Sequence, residues 1–194
     1  NLERYKMQPY PKHTRIHFLY LGRIMKEKGI DELFYAVRHL KKENENFVLD
    51  LVGFFEDEYK EQVKELEKHS IAHFYGFQSD PRPFYIEADC VVLPSYHEGM
   101  SNVLLEAAAT GRPVVTSNIP GCRESVENGK SGLLVEVKNK EMLYDAMKEM
   151  LHCSREEREQ MGQAGREKME REFRKEVVVE KTVQSLRGDE KRDF

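Results

Sequence analysis

The chain has 194 residues, of which 34% are charged and 39% hydrophobic, with a formal net charge of -4. That length supports one full core, the lack of a basic excess argues against nucleic acid as a partner, and no apolar run approaches the roughly 18 residues of a membrane span. The three cysteines, Cys90, Cys122 and Cys153, are odd in number and lack C-x-x-C spacing, so neither a disulfide framework nor a zinc site is expected.

Residues 1–13 (NLERYKMQPYPKH) are polar, resemble an interdomain linker and begin without methionine, so the chain reads as an excised piece. With no signal-peptide pattern, a cytoplasmic setting is expected. The apolar and aromatic run Ile16–Leu21 predicts a strand, followed by Gly22-Arg23 and Lys28-Gly29 before a helical pattern over Ile30–Lys42. Phe47–Val52 predicts a second strand ending at Gly53, with a charged helix over 56–69 behind it. Residues 71–75 predict a third strand with Gly76, Phe77 and Gln78 at its edge, and 81–88 one short helix before a strand at Cys90–Leu93.

The stretch 95–116, SYHEGMSNVLLEAAATGRPVVT, organises the rest. Val103, Leu104, Leu105, Ala107, Ala108 and Ala109 leave its helix almost no polar face, which predicts a buried helix. Ser101 suits its N-cap, and Gly111 followed by Pro113 its stop. Glu106 is then a single charge in an apolar segment, where an unpaired carboxylate costs several kcal/mol, so it needs a partner. Glu98 lies in the loop before the helix, and the amides of Gly99, Met100, Ser101 and Asn102 sit at its positive end, where phosphate is favoured. Eight residues at helical rise separate the two carboxylates by roughly 12 Å. A sugar, a diphosphate and a ribose laid end to end span about that distance, with carboxylates accepting from paired hydroxyls and amides facing the diphosphate.

Beyond Val115, residues 119–128 read as a turn and short helix, Gly132–Val135 as a strand, and 140–152, 154–173 and 175–186 as helices, with a frayed tail over 188–194. The last two helices carry only a narrow apolar stripe, which suits solvated cover for a sheet. Strands alternating with helices of this length imply parallel βαβ units, hence an α/β fold with a doubly wound parallel sheet and C-terminal helices. Ligands of such sheets bind beyond the strands' carboxyl ends. Gly22, Gly53, Gly76 and the Glu98 loop each follow a strand and should converge there.

Other site classes lack their residues. His97 stands alone beside Glu98, no H-x-x-x-H pair or D-x-D occurs, and Walker A and G-x-G-x-x-G are missing. No metal site, phosphoryl transfer or nicotinamide chemistry is therefore expected. The plainer readings are surface cations for Arg23 and Lys28, a solvated loop acid for Glu98, and for Glu106 a buried ion pair with Arg112 or Arg123.

The order Gly22-Arg23, Lys28-Gly29, Glu98-Gly99-x-Ser101, Glu106 and Gly111-x-Pro113-Val114-Val115 resembles the E-x7-E pattern of glycosyltransferase family 4, the glycosyl transferases group 1, whose members are retaining nucleotide-sugar enzymes with the two-domain GT-B fold. The resemblance covers 14–187 and implies the Rossmann-like, donor-binding C-terminal half. It implies that Arg23 and Lys28 hold the donor diphosphate, Glu98 the transferred sugar, Glu106 the ribose, and Phe77 and Gln78 the base, largely through backbone groups. Two fixed cations there stabilise the charge that a leaving diphosphate gathers. A UDP-linked hexose as donor substrate, no separate cofactor, a saccharide or lipid-linked acceptor, and an N-terminal acceptor-binding domain follow from the same resemblance. So do a role in bacterial surface polysaccharide synthesis and, through the N-terminal half, a location peripheral to the inner membrane face. A nucleotide-sugar 2-epimerase on the same scaffold and a non-catalytic nucleotide-binding module remain as other readings of the sequence.

Overall fold

In the computed structural model, residues 2–43, 45–174, 177 and 179 are described. Six apolar runs form parallel strands: β1 (Ile16–Leu21), β2 (Phe47–Val52), β3 (Ala72–Phe74), β4 (Cys90–Leu93), β5 (Val114–Ser117) and β6 (Gly132–Val135). They lie in one sheet in the order β3-β2-β1-β4-β5-β6. β2 is buried at every residue and β4 and β5 likewise, as expected for central strands covered on both faces.

The helices are α1 (Ile30–Lys42), α2 (Lys60–Lys68), α3 (Arg82–Glu87), α4 (Asn102–Thr110), α5 (Lys140–His152) and α6 (Arg155–Glu172). The β1-α1-β2 crossover runs one way along the sheet and β4-α4-β5 the other, so right-handed connections place α1 and α4 on opposite faces. α1 packs on α5, and α4 on α6 and α3. The reversal between β1 and β4 is the topological switch point, where the loops after neighbouring strands part and leave a crevice.

Several expectations change in detail. The charged helix expected over 56–69 is divided into a 3-10 turn, Asp57–Tyr59, and α2. Tyr59 turns inward there, edge-on to Phe34 at 6.2 Å, with its hydroxyl on Asp31 at 3.1 Å. The third strand is only three residues long, and 119–128 holds a 3-10 turn, Arg123–Ser125, in place of a helix. α6 opens with a capping box between Ser154 and Glu157, a pattern visible in the sequence, and meets α4 partly through the buried Gly162 and Gly165. The helix expected over 175–186 and the tail over 188–194 lie outside the described residues, except for Val177 and Val179.

The stretch 2–13 is folded against the domain. Tyr5 and Tyr10 are buried, the Gln8 amide donates to the Thr110 carbonyl, and the Tyr10 hydroxyl donates to the Asp89 carbonyl at 2.5 Å. Arg112, 1% exposed, ties this together. Its guanidinium donates to the carbonyls of Tyr85 and Ile86 in α3, of Gln8 and Pro9, and of Thr110 and Gly111.

Candidate functional site

The C-terminal edge of the sheet collects the glycines and the Glu98 loop. Gly22 N–H donates to Val52 O, and Gly53 N–H to Gly76 O, each at 2.9 Å, so the exits of β1, β2 and β3 are stitched side by side. The Tyr20 hydroxyl donates to Arg23 O at 2.5 Å, and Ile24 bridges to Phe55, which fixes the turn after β1.

Two close approaches bring the loops after β1, β4 and β5 together. Gly29 has φ of 72°, and a Cβ on it would lie 2.0 Å from Pro94 O, so only glycine lets the first loop lie against the fourth strand's exit. Tyr96 N–H then donates to Glu27 O at 2.8 Å, while its hydroxyl meets the Glu32 carboxylate in α1. Gly121 has φ of 86°, with its Cβ position 1.4 Å from Gly99 O. Its own amide is held by Glu124 at 2.7 Å.

Within this framework Lys28 Nζ donates to Glu98 Oε1 at 2.6 Å, and Ser95 Oγ donates to the same oxygen at 2.8 Å. Glu98 is thus neither a solvated loop acid nor distant from Lys28; its side chain is 14% exposed. Arg23 is exposed, and among the described residues its guanidinium has no partner. Gly99, Met100 and Asn102 are exposed, and among the described residues their amides meet no protein acceptor. Ser101 differs from expectation. It occupies the N-cap position, but its side chain makes no cap hydrogen bond, and its amide is taken by Gly121 O at 3.0 Å. The interlocked β5 loop, not a hydroxyl cap, closes that end of α4.

α4 is buried along Leu104, Ala107, Ala108, Ala109 and Thr110, whereas Val103, Leu105 and Glu106 are only partly covered. The expected all-round burial fails because the face carrying Glu106 has a partner only in part. Neither Arg112 nor Arg123 pairs with Glu106: Arg112 serves carbonyls and Arg123 reaches Glu124. Its partner is the Tyr85 hydroxyl, which donates to Oε2 at 3.0 Å. Burial, with the Glu106 carboxylate close by, raises the Tyr85 phenol well above its ordinary range and pushes the Tyr5 phenol up to about 12. Both phenols therefore stay protonated as donors at neutral pH. Tyr5 is a second phenol close to this carboxylate, and its own shift includes a hydrogen bond to Glu106.

Phe77 and Gln78 are exposed at the exit of β3, with Gln78 Nε2 donating to Tyr75 O at 2.8 Å. Sequence reasoning did not single out Ser95, Tyr85, Gly121 or Glu124 as parts of this arrangement. Gly121 and Glu124 were the legible ones, since a glycine three residues before a glutamate after a strand marks a built turn; Tyr85 carried no local signal.

Residues 3–168 match the family model described as glycosyl transferases group 1. The capsular polysaccharide biosynthesis glycosyltransferase CapM of Staphylococcus aureus is 30% identical over 164 residues, covering 83% of this chain and 43% of CapM. Sucrose-phosphate synthase from Thermosynechococcus elongatus superimposes with a TM-score of 0.80 at 25% identity, over 97% of this chain and 50% of that one. Anabaena Alr3699/HepE, solved in complex with UDP, has a TM-score of 0.80 at 19% identity, over 97% of this chain and 55% of that one, a likeness of fold. The chain thus spans about half the length of the proteins it matches.

Proposed function

The chain belongs to the glycosyl transferases group 1 family, as the C-terminal domain of a GT-B glycosyltransferase, and on that premise we propose that it binds the nucleoside diphosphate sugar, a UDP-linked hexose, for a retaining transfer without a metal. The observation that carries this reading is the meeting of Lys28 and Glu98 at the switch point, on the loops that also carry Arg23, whose guanidinium has no partner among the described residues, and the amides of Gly99, Met100 and Asn102, which meet no acceptor among them. Cations and open amides on neighbouring loops, together with a carboxylate, suit a ligand that carries phosphate and sugar hydroxyls together.

In this reading Arg23 and Lys28 face the diphosphate and stabilise the charge it gathers as its bond to the anomeric carbon breaks. Glu98 accepts from hydroxyls of the hexose, and the Glu106 carboxylate from the ribose. Phe77 and Gln78 border the base. The acceptor hydroxyl bonds to the anomeric carbon from the face the diphosphate leaves, and its proton passes to the leaving phosphate. The acceptor, a saccharide or lipid-linked saccharide of a bacterial surface polysaccharide, sits on an N-terminal domain across the crevice. Without that partner, the present domain binds donor weakly and transfers little.

Calorimetric titration of UDP, GDP and ADP against the wild type and Glu106→Ala tests the reading. UDP should bind the wild type and bind the variant more weakly. Absence of binding by all three at millimolar concentration removes the proposal.

A further inference from the structure

Phe54 and Phe77 lie face to face, with ring centroids 5.0 Å apart and planes 2° from parallel, yet they are 59% and 62% exposed. Their backbones are fixed. Gly53 and Gly76, which precede them, are hydrogen bonded to each other, and Phe54 O accepts from Ile24 N–H at 2.7 Å. Phe55, next in sequence, turns inward against Phe74. Phe54 is left to point outward. Parallel rings at this separation are displaced along their planes, an arrangement that leaves the outer face of each ring bare.

The pair stands at the exits of β2 and β3, beside the loop of β1 that carries Arg23 and Lys28. β3 is two strand spacings from β1, about 10 Å, so a nucleoside whose phosphates lie at the switch point can extend sideways to these rings. Gln78 Nε2 donates to Tyr75 O, which orients that amide beside the rings while leaving its oxygen and second hydrogen for the edge of a base. We propose that Phe54 and Phe77 form one aromatic platform on which the donor's nucleobase stacks, so that the base is held by ring faces and Phe54 belongs to the nucleotide site. This rests on the function proposed above and adds to it the mode of base binding.

The test titrates UDP and inorganic pyrophosphate against the full chain, its Phe77→Ala and Phe54→Ala variants, and Phe54→Leu, which keeps apolar bulk and removes the ring. Both positions are exposed, so the variants should fold. Loss of base stacking should weaken UDP roughly five- to hundredfold in Phe77→Ala and several-fold in both Phe54 variants, with pyrophosphate unchanged. UDP binding within twofold of wild type in all three variants overturns the platform, as does UDP binding the wild type no more tightly than pyrophosphate. Equal losses of UDP and pyrophosphate also overturn it, since they report loop damage. A wild type that binds neither ligand overturns the proposed function itself, which separates the two failures.

Discussion

Lys28 and Glu98 reach across from the loops after β1 and β4 to a contact of 2.6 Å, so one of the two cations after β1 is already paired with the acid across the switch point. A diphosphate arriving there must share Lys28 with Glu98 and also approach the carboxylate's charge. Glu98→Gln should therefore tighten UDP, which carries no sugar for Glu98 to hold, by about three- to tenfold, or roughly 1 kcal/mol. Lys28→Met should weaken UDP by about tenfold or more, and the effect should shrink as salt rises. Calorimetry at two ionic strengths checks both; unchanged or weaker UDP binding in Glu98→Gln would show that the pair does not compete with phosphate.

Glu106 offers a second comparison, because Tyr85 holds its Oε2, with Tyr5 close by, and a carboxylate oxygen can accept from more than one donor. If the carboxylate accepts from a ribose hydroxyl, the wild type should prefer UDP over 2′-deoxy-UDP by about tenfold, within the range of one hydrogen bond to a charged group. Glu106→Ala should erase that preference. It also leaves the Tyr85 hydroxyl with only Val103 O at 3.4 Å, so a stability loss of about 1 kcal/mol is expected alongside. Equal affinities for the two nucleotides in the wild type would remove the ribose assignment.

The sheet was legible because its strands are dense apolar runs, the first three followed by Gly22, Gly53 and Gly76, and the boundaries of β1, β2, β4, β6, α1 and α5 agree with the sequence pattern. What failed to show were contacts between residues distant in sequence. Nothing near Glu106 announces that Tyr85, 21 positions earlier, supplies its hydrogen bond. The sequence offered Arg112 as a partner by proximity, whereas the folded chain directs that guanidinium to backbone carbonyls. Ser101 shows the same limit: a good capping residue makes no side-chain cap, while its own amide is taken by Gly121 O of the β5 loop, a contact no local pattern announces. Lys28 and Glu98 were each singled out, but their direct contact depends on Gly29 lying against Pro94, which no local pattern displays.

Arg112 should be a strong determinant of stability. It is buried among carbonyls, with the Tyr10 ring 5.3 Å from its guanidinium carbon, and burial lowers its pKa from the ordinary arginine value. Arg112→Met removes the donors and leaves several buried carbonyls unpaired, at about 1 to 3 kcal/mol each before relaxation. A net loss of about 3 kcal/mol is expected in urea unfolding, with earlier proteolysis within residues 2–13. Arg112→Lys should recover little, since an ammonium cannot supply the planar fork of donors. A loss below about 1 kcal/mol in Arg112→Met would contradict this account.

The sheet face behind the site carries a titrating pair whose effect on stability has a definite sign. His17 Nδ1 lies 2.8 Å from Asp50 Oδ2, and the other carboxylate oxygen accepts from the Tyr75 hydroxyl at 3.1 Å. The hydrogen bond to Asp50 raises the His17 pKa above its ordinary 6.5, against the opposing effect of burial. The folded protein therefore holds this proton more tightly than the unfolded chain does. Its contribution is complete below about pH 6.5 and is lost as pH rises through the folded value. Asp50→Asn should lower stability at pH 6 more than at pH 8.5 and flatten the decline between them. Urea midpoints of wild type and Asp50→Asn at the two pH values check this. Parallel declines in the two proteins would show that His17 does not owe its raised pKa to Asp50.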